Sequence, residues 1–485
     1  MERDHAQVLV VGSGAGGATT AHELARAGLD VLVIEEGSSH DLASYGASSA
    51  EAMPRMYRRS GMTPIVGRVP IGFVEGCCVG GSTEINSGFW HRPPPEILLR
   101  WHAQFDLAVT PEELAPHLDW AEEMLGVQPY GHEWPKSTRV FARGAEAMGW
   151  AAQEVPRTAK GCESANTCAS GCAKGNKQGM TRKVLPEAIA AGARVVSSCR
   201  ASLVLHRRGR ADGVLVERTR EDGSRELLRV DAEHVFVCAG PMETPSLLRH
   251  SGIKHHIGDT LRVHPMLKVV ARFPERVEAD RSVLPLLQVK EFWPEISLGG
   301  AFFNAGHAAM SLSDNWVENR HELDEVDHLA AYYVAVRGTG RGSVRPSIFG
   351  STTTSRYDLS QEDLRHLSAG LARLCTLLLA GGAVEVHPTV HGLPSIRSRT
   401  EAIRWLDELL SPGALSLSTV HAFSTCPFGE RADRCAASSF GKLRGFDNLY
   451  INDASMLPDS PGVNPQGTVM AFARRNAIAF REGVR

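Results

Sequence analysis

The sequence predicts an α/β fold in which a Rossmann-type parallel sheet binds a nucleotide and a second half, built on a mainly antiparallel sheet, is inserted into it. Three observations carry this reading. Residues 8 to 37 run VLVVGSGAGGATTAHELARAGLDVLVIEEG, which is strand, glycine turn, helix and strand in the order a dinucleotide site requires. The middle of the chain, Val263 to Tyr357, holds several strand-like runs and no second glycine-rich turn of that kind. The C-terminal part, from Leu449, returns to a strand, a polar loop and a helix.

The first unit assigns a task to each residue type. Val8 to Val11 is a short apolar strand. Gly12 turns the chain tightly, Gly14 lets backbone approach a pyrophosphate, and Gly17 lets helix and strand pack closely. The helix predicted from Ala18 to Ala27, closed by Gly28, starts with free N–H groups and the positive end of its dipole. The second strand, Val31 to Ile34, ends in Glu35, about 20 residues past the glycines, where a carboxylate accepts from ribose hydroxyls. An acid there argues against a 2′-phosphate, hence against NADP, and leaves NAD and FAD open.

A chain of 485 residues is long enough for two domains. The net charge of −3 gives no electrostatic footprint for nucleic acid or an anionic membrane. No apolar run is long enough to span a bilayer. The N-terminus, MERDHAQVLVVG, enters the first strand at once and leaves no room for a secretory signal. The expectation is a cytoplasmic protein whose ten cysteines are buried thiols or ligands rather than disulfides.

Residues 38 to 70 read as a polar connecting segment. Gly80-Gly81-Ser82 follows as a small-residue turn, with backbone from Glu84 to Phe89 able to run beside a planar ligand before Pro93 to Pro95 break regular structure. Residues 96 to 150 have helical spacing, and residues 194 to 238 alternate as strands. A Gly240-Pro241 turn leads into a helix from Thr244 to His250. Ser360 to Gly381 predicts a long helix capped by Ser360, and Thr400 to Leu410 another capped by Thr400. After the strand Leu449 to Asn452, a helix starts near Asn464 with Pro465 in its first turn. The nucleotide half is thus expected to comprise residues 1–45, 70–100, 190–265 and 435–485, and the substrate half residues 46–69, 101–189 and 266–434.

Four stretches together resemble the glucose–methanol–choline (GMC) oxidoreductase family of flavoproteins: VVGSGAGGATTAHEL with VLVIEEG, VGGSTEINSG, HVFVCAGPMETPSLLRHSGI, and NLYINDASMLPDSPGVNPQGTVMAFARRNA. The resemblance is weak between residues 266 and 420. It implies a glutathione-reductase-like FAD domain beside a substrate domain with a six-stranded sheet. Carried over by position, Ser13, Ala15, Gly16 and Glu35 hold the ADP half of FAD. Val79, Gly80, Gly81, Ser82 and Asn86 lie along the pyrophosphate and flavin, and Leu203 offers backbone to adenine. The alanine–glycine turn at Ala239 and Gly240 joins them, and Asp453, Ala454, Pro465 and Gln466 lie near the flavin ring. Ile85 stands where some members attach FAD through a histidine, which implies non-covalent FAD.

The implied reaction is oxidation of a CH–OH group, with hydride passing to flavin N5 and electrons onward to O₂ or another acceptor. His421 matches the family's catalytic histidine, and imidazole suits a base near neutral pH. Asn464 matches the second catalytic position, and the helix beginning there aims its positive end at the reduced ring. The chain departs from the pattern at His421-Ala422-Phe423-Ser424-Thr425, where members often carry His-Pro-x-Gly-Thr.

Cys162, Cys168 and Cys172, spaced C-x5-C-x3-C, resemble the cysteine-rich segment of cluster-bearing sugar dehydrogenases of the family and also that of its long-chain alcohol oxidases, with Ala165 where a second cysteine would stand; a structural loop over the flavin is the favoured reading, because only three thiols are present, and an iron–sulfur cluster is the rival. No fourth cysteine or histidine at ligand spacing supports zinc. Acids between Asp314 and Asp327 suggest either a solvated loop or a site for a cationic substrate such as an amino sugar. Trp293, Trp316, Tyr332 and Tyr333 are candidates for stacking on a sugar or aromatic alcohol. A non-redox lyase of cyanohydrin type is the rival outside redox chemistry.

Overall fold

The computed structural model describes residues 3–45, 48–347 and 352–483. The expected division between residues 45 and 46 borders residues outside that set.

Strand β1 (Arg3–Val11) lies at the centre of a seven-stranded sheet. It pairs in parallel with β2 (Val31–Ile34) on one side and with strand Arg225–Val237 on the other. Arg194–Val196 extends the sheet beyond β2, and Leu449–Ile451 adds in parallel to Arg225–Val237. Cys199–Arg207 and Arg210–Thr219 complete it as antiparallel strands. Parallel strands buried on both faces read as continuous apolar runs, and all four residues of β2 are buried. Helix α1 (Ala15–Arg26) begins three residues before the expected start, and its buried face packs on the C-terminal helix Gln466–Arg481. The last strand and helix thus close on the first strand and helix.

The second sheet has eleven strands rather than the six implied by the resemblance. Its centre is antiparallel: Met266–Arg272 pairs with Leu329–Val336, which pairs with Ile296–Gly300, which pairs with Leu287–Val289. The extra strands are short pieces of connecting chain that join its edges, among them Thr63–Val66, Ile71–Phe73 and Ala152–Glu154. Two of these contacts, Ile71–Phe73 with Leu417–Thr419 and Thr63–Val66 with Thr353–Asp358, are parallel. Residues 38 to 70 are therefore more ordered than expected, and the division at residue 70 falls inside a hairpin of this sheet. Helix Gln361–Ala380 covers the sheet, with Ser360 and Asp363 forming a capping box. The helix expected from Thr400 to Leu410 is shorter, Arg399–Ile403, continued by a 3₁₀ turn over Arg404–Leu406, and its cap is Ser398, in a box with Glu401, two residues before the cap assigned from sequence. Among the described residues no helix is long and apolar enough to cross a membrane, and all ten cysteines are free thiols.

Candidate active site

One cavity of about 900 Å³ runs from the glycine turn to the underside of the second sheet. That is near the upper end of the range for small-molecule and cofactor sites. The glycine turn is built as its residue types require. A Cβ on Gly12 would lie 2.3 Å from the Cys238 carbonyl oxygen, and φ there is +101°. One on Gly17 would lie 1.9 Å from the Gly12 carbonyl oxygen, and one on Gly16 2.0 Å from that of Asn452. Gly14 differs: a Cβ there would meet nothing within 4 Å, because the position opens on the cavity. Gly14 is also the N-cap of α1, so no side chain satisfies the first N–H groups of that helix. The C-terminal helix is likewise uncapped by a side chain at Pro465. Two free helix starts, an open glycine and a cavity of this size fit an anionic dinucleotide.

Hydrogen bonds join motifs that lie far apart in sequence. The Ser13 hydroxyl donates to Glu35 at 2.7 Å and accepts from the Gly80 N–H at 3.0 Å. Glu35 also accepts from the backbone N–H of Ser13 and of Gly37, each at 2.9 Å. Burial still raises its carboxyl above the usual range. Its neighbour Glu36, also on the cavity wall, pairs with Arg58 at 3.0 Å and Arg200 at 3.3 Å. The Asn86 amide donates to Gln466 at 2.7 Å, across 380 residues of chain. Asp453 accepts from the Gly240 N–H and the Ser455 N–H, each at 2.8 Å, and from the Thr244 hydroxyl. Its carboxylate is therefore spent on fixing the start of helix Gly240–His250 against the C-terminal loop.

Most of the residues expected at the site do line this cavity. From the first motif they are Gly12, Gly14, Ala15, Gly16 and Glu35; from the second, Gly81, Ser82 and Asn86. Ala239 and Gly240 follow, and then Asp453, Ala454, Asn464, Pro465 and Gln466. Ser13, Gly17, Val79 and Gly80 stand behind the wall and shape it. Leu203 does not reach the cavity; Cys199 to Ser202 line it instead. A register shift between Ala201 and Leu203 breaks the alternation there.

His421 lines the same cavity. Its Nδ1 lies 3.0 Å from Nδ1 of His264, whose ring is buried. One ring must donate and the other accept. With His421 donating, its Nε2 carries a bare lone pair, and that nitrogen has no partner among the described residues. His264 then holds its proton on Nε2, an atom that is buried and unpaired. With His264 donating, the Nε2 of His421 becomes a donor instead. Burial pushes the His421 pKa down to about 4 and that of His264 further below its ordinary value. Both rings are neutral at ordinary pH. The Asn464 side chain, on the same wall, makes no hydrogen bond within the described residues.

The segment after His421 shows what its departure from the family pattern does. Ala422–Phe423 pairs as a two-residue strand with Arg262–Val263, which brings His264 beside His421. Ser424 then adopts φ +66°, the left-handed region in which glycine is unstrained. Its hydroxyl donates to the Pro458 carbonyl at 2.6 Å, which offsets part of that strain.

The three cysteine sulfurs do not all lie within 4.8 Å of one another. Among the described residues the only metal-type grouping is Glu322, Glu385 and His387, which are engaged by Arg272 and Arg397. The guanidinium of Arg157 stands between Cys162 and Cys168, donating to their sulfurs at 3.3 and 3.2 Å. Lys177 donates to the carbonyls of Glu84, Asn86 and Cys168. A buried cation fills the place where a cluster would need inward-facing thiolates. This segment braces the second motif.

The acids near residue 320 do not face the cavity either; Glu322 is buried against Arg272 at 3.1 Å. Of the four aromatic candidates only Tyr333 lines the cavity. Tyr332 is core, stacked on Phe141, and Trp316 lies at the surface. Sequence reasoning missed His264, Lys268, Gln288 and Lys290. The first two could have been found in RVHPMLKV, where polar residues alternate with apolar ones at strand spacing.

Comparison with known proteins agrees with this geometry. Family models match at residues 53–266 (GMC oxidoreductase, N-terminal part), 341–473 (GMC oxidoreductase, C-terminal part) and 7–60 (FAD binding domain). The chain is 38% identical over 98% of its length to an uncharacterized GMC-type oxidoreductase, y4nJ, of Sinorhizobium fredii, covering 94% of that protein. It is 26% identical over 96% of its length to the long-chain-alcohol oxidase FAO3 of Arabidopsis thaliana, covering 66% of it. The fold matches the crystal structure of pyridoxine 4-oxidase from Mesorbium loti with a TM-score of 0.73 at 17% identity, covering 98% of this chain and 99% of that one. The chain belongs to the GMC oxidoreductase family and carries its FAD-binding domain.

Proposed function

We propose that this protein oxidises an alcohol to a carbonyl compound at the junction of the two sheets. The observation that supports the reading most is the meeting of His421 and Asn464 on the cavity that the glycine turn also lines, with no partner among the described residues for His421 Nε2 or the Asn464 amide. When bound, non-covalent FAD supplies the hydride acceptor. His421 Nε2 takes the hydroxyl proton, and the Asn464 amide holds the carbinol oxygen in line. His264 acts as a positioning residue, accepting from His421 Nδ1 and so keeping the lone pair on Nε2. The positive start of the C-terminal helix stabilises negative charge at its end of the cavity. An alcohol loses one proton to His421 and one hydride to the cofactor, which balances the conversion. O₂ or another acceptor takes the electrons away. The relationship to long-chain-alcohol oxidases supports the same reaction class. Anaerobic addition of an alcohol panel to the holoprotein tests the reading: bleaching of the flavin supports it, and a flavin that none of them reduces overturns it.

The pH dependence follows from the low pKa of His421. The ring is neutral above about pH 4, so flavin reduction should hold steady through neutral pH and fall as pH drops through that value. Stability has the same sign. The unfolded ring, with a pKa of 6.5, binds more protons than the folded one between about 4 and 6.5. Stability from this group is full above that window and is lost as pH falls through it; His307, also pushed down to about 4, adds to the loss. Thermal melts and stopped-flow reduction across this range are the measurements, and a reduction rate that does not fall in acid would remove His421 as base.

A further inference from the structure

The cavity's two halves differ in their charged groups. Along the glycine turn and strand ends, its acids are Glu35, Glu36, Glu75, Glu217, Glu243 and Asp453, with Arg58 and Arg200 on the same wall paired to Glu36, Glu75 and Glu243. Beneath the second sheet, its described lining contains Lys268 and Lys290 and no carboxylate. Neither ammonium has a hydrogen-bond or ion-pair partner within the described residues. Burial alone pushes both pKa values down, to about 8 for Lys290, and no nearby acid pulls either back. An enclosed cation without a counter-charge is costly, and a carboxylate from outside would relieve that cost.

The strand geometry places the two lysines at different depths. His264, Met266 and Lys268 alternate along one stretch of chain and all line the cavity. At about 3.3 Å per residue, Lys268 lies roughly 13 Å along the chain from His264. Across the sheet Lys268 is paired with Tyr333, whose hydroxyl accepts from the Gln288 amide at 2.6 Å. His307 shares this outer end, and the charge of Lys268 adds to the effect of burial in holding it neutral. Lys290 is at the inner end, where its charge acts on His264 and His91. Met266, Phe302 and Met310 supply apolar wall along the cavity.

We propose that the substrate is an anionic alcohol, a hydroxycarboxylate whose carboxylate pairs with Lys268 while its carbinol lies at His421 and Asn464. This rests on the reading of the cavity as an alcohol-oxidising site and narrows it. The spacing requires the two functional groups to be separated by several bonds of apolar chain or ring. A cationic amino sugar is disfavoured by the same two lysines.

Two measurements test it. In the first, ω-hydroxycarboxylates of increasing length are compared with their methyl esters by anaerobic reduction of the holoenzyme flavin. The acids should be preferred, and in Lys268→Met the ratio of acid to ester in apparent second-order rate should fall by about 10- to 100-fold, the effect of one charge-assisted contact. Esters that match the acids in the native protein, or a ratio unchanged in the variant, overturn the proposal while leaving alcohol oxidation intact. In the second, calorimetry follows butanoate, hexanoate and octanoate against their primary amides on native and Lys268→Met holoenzyme, with FAD content confirming the fold. Carboxylate binding that is lost in the variant supports the proposal even where no alcohol is turned over, and equal binding of acids and amides overturns it.

Discussion

Replacing His421 with alanine is expected to slow alcohol-dependent flavin reduction by about 10²–10⁴-fold, the usual contribution of a positioned general base. FAD should remain bound, because His421 touches the cavity from the substrate side and makes no side-chain hydrogen bond to the glycine turn or the C-terminal helix. The ring's pairing with His264 gives the substitution a second signature. With His421 removed, His264 Nδ1 loses its partner, so any reduction that remains measures how far that nitrogen substitutes as base. Stopped-flow reduction at matched FAD content is the measurement. A variant that reduces its flavin at the native rate would place the base elsewhere.

Substitution of two glycines of the first motif should fail in different ways, one in folding and the other in cofactor binding by about two orders of magnitude. Gly17→Ala puts a methyl group 1.9 Å from the Gly12 carbonyl oxygen, against backbone that cannot yield, and should give insoluble or unfolded protein. Gly14→Val points its side chain into open cavity from an ordinary φ of −66°, so the protein should fold. The added volume then stands where the uncapped helix start would receive a pyrophosphate, and FAD affinity should drop by about 100-fold. Circular dichroism separates the two outcomes from each other, and flavin absorbance per chain reads the second. A Gly14→Val protein with native FAD content would show that the phosphates lie elsewhere.

What could be read from the sequence divides along a physical line. The glycine turn, β2 with Glu35, and the strand–loop–helix at the C-terminus were legible because each uses residue types that few other environments demand. Gly12, Gly16 and Gly17 each face a backbone oxygen at a distance no Cβ tolerates. His421 and Asn464 were legible only through the resemblance, since a single histidine or asparagine carries no periodicity. The His421–His264 pair was hidden because a two-residue strand pairing creates it, and the intervening 157 positions leave no local trace. Leu203, carried over from the resemblance, stands next to Ser202, which lines the cavity. The cysteine spacing left a structural loop and a cluster both open, because it describes sulfur positions and says nothing of Arg157, which enters between two of them. The size of the second sheet was not legible because extra strands such as Thr63–Val66, Ile71–Phe73 and Ala152–Glu154 are three to four residues long and owe their conformation to edges formed elsewhere in the chain.

The central claim is that the two ends of the chain enclose one FAD and that the carbinol is held by His421 and Asn464. A crystal structure of the holoenzyme with an unreactive alcohol analogue tests it most directly. The account predicts one FAD whose pyrophosphate lies at Gly14 and the start of α1, with the analogue's oxygen about 2.6–3.2 Å from His421 Nε2 and within reach of the Asn464 amide. An analogue bound away from that pair, or an FAD whose ring does not approach the start of the C-terminal helix, would contradict it.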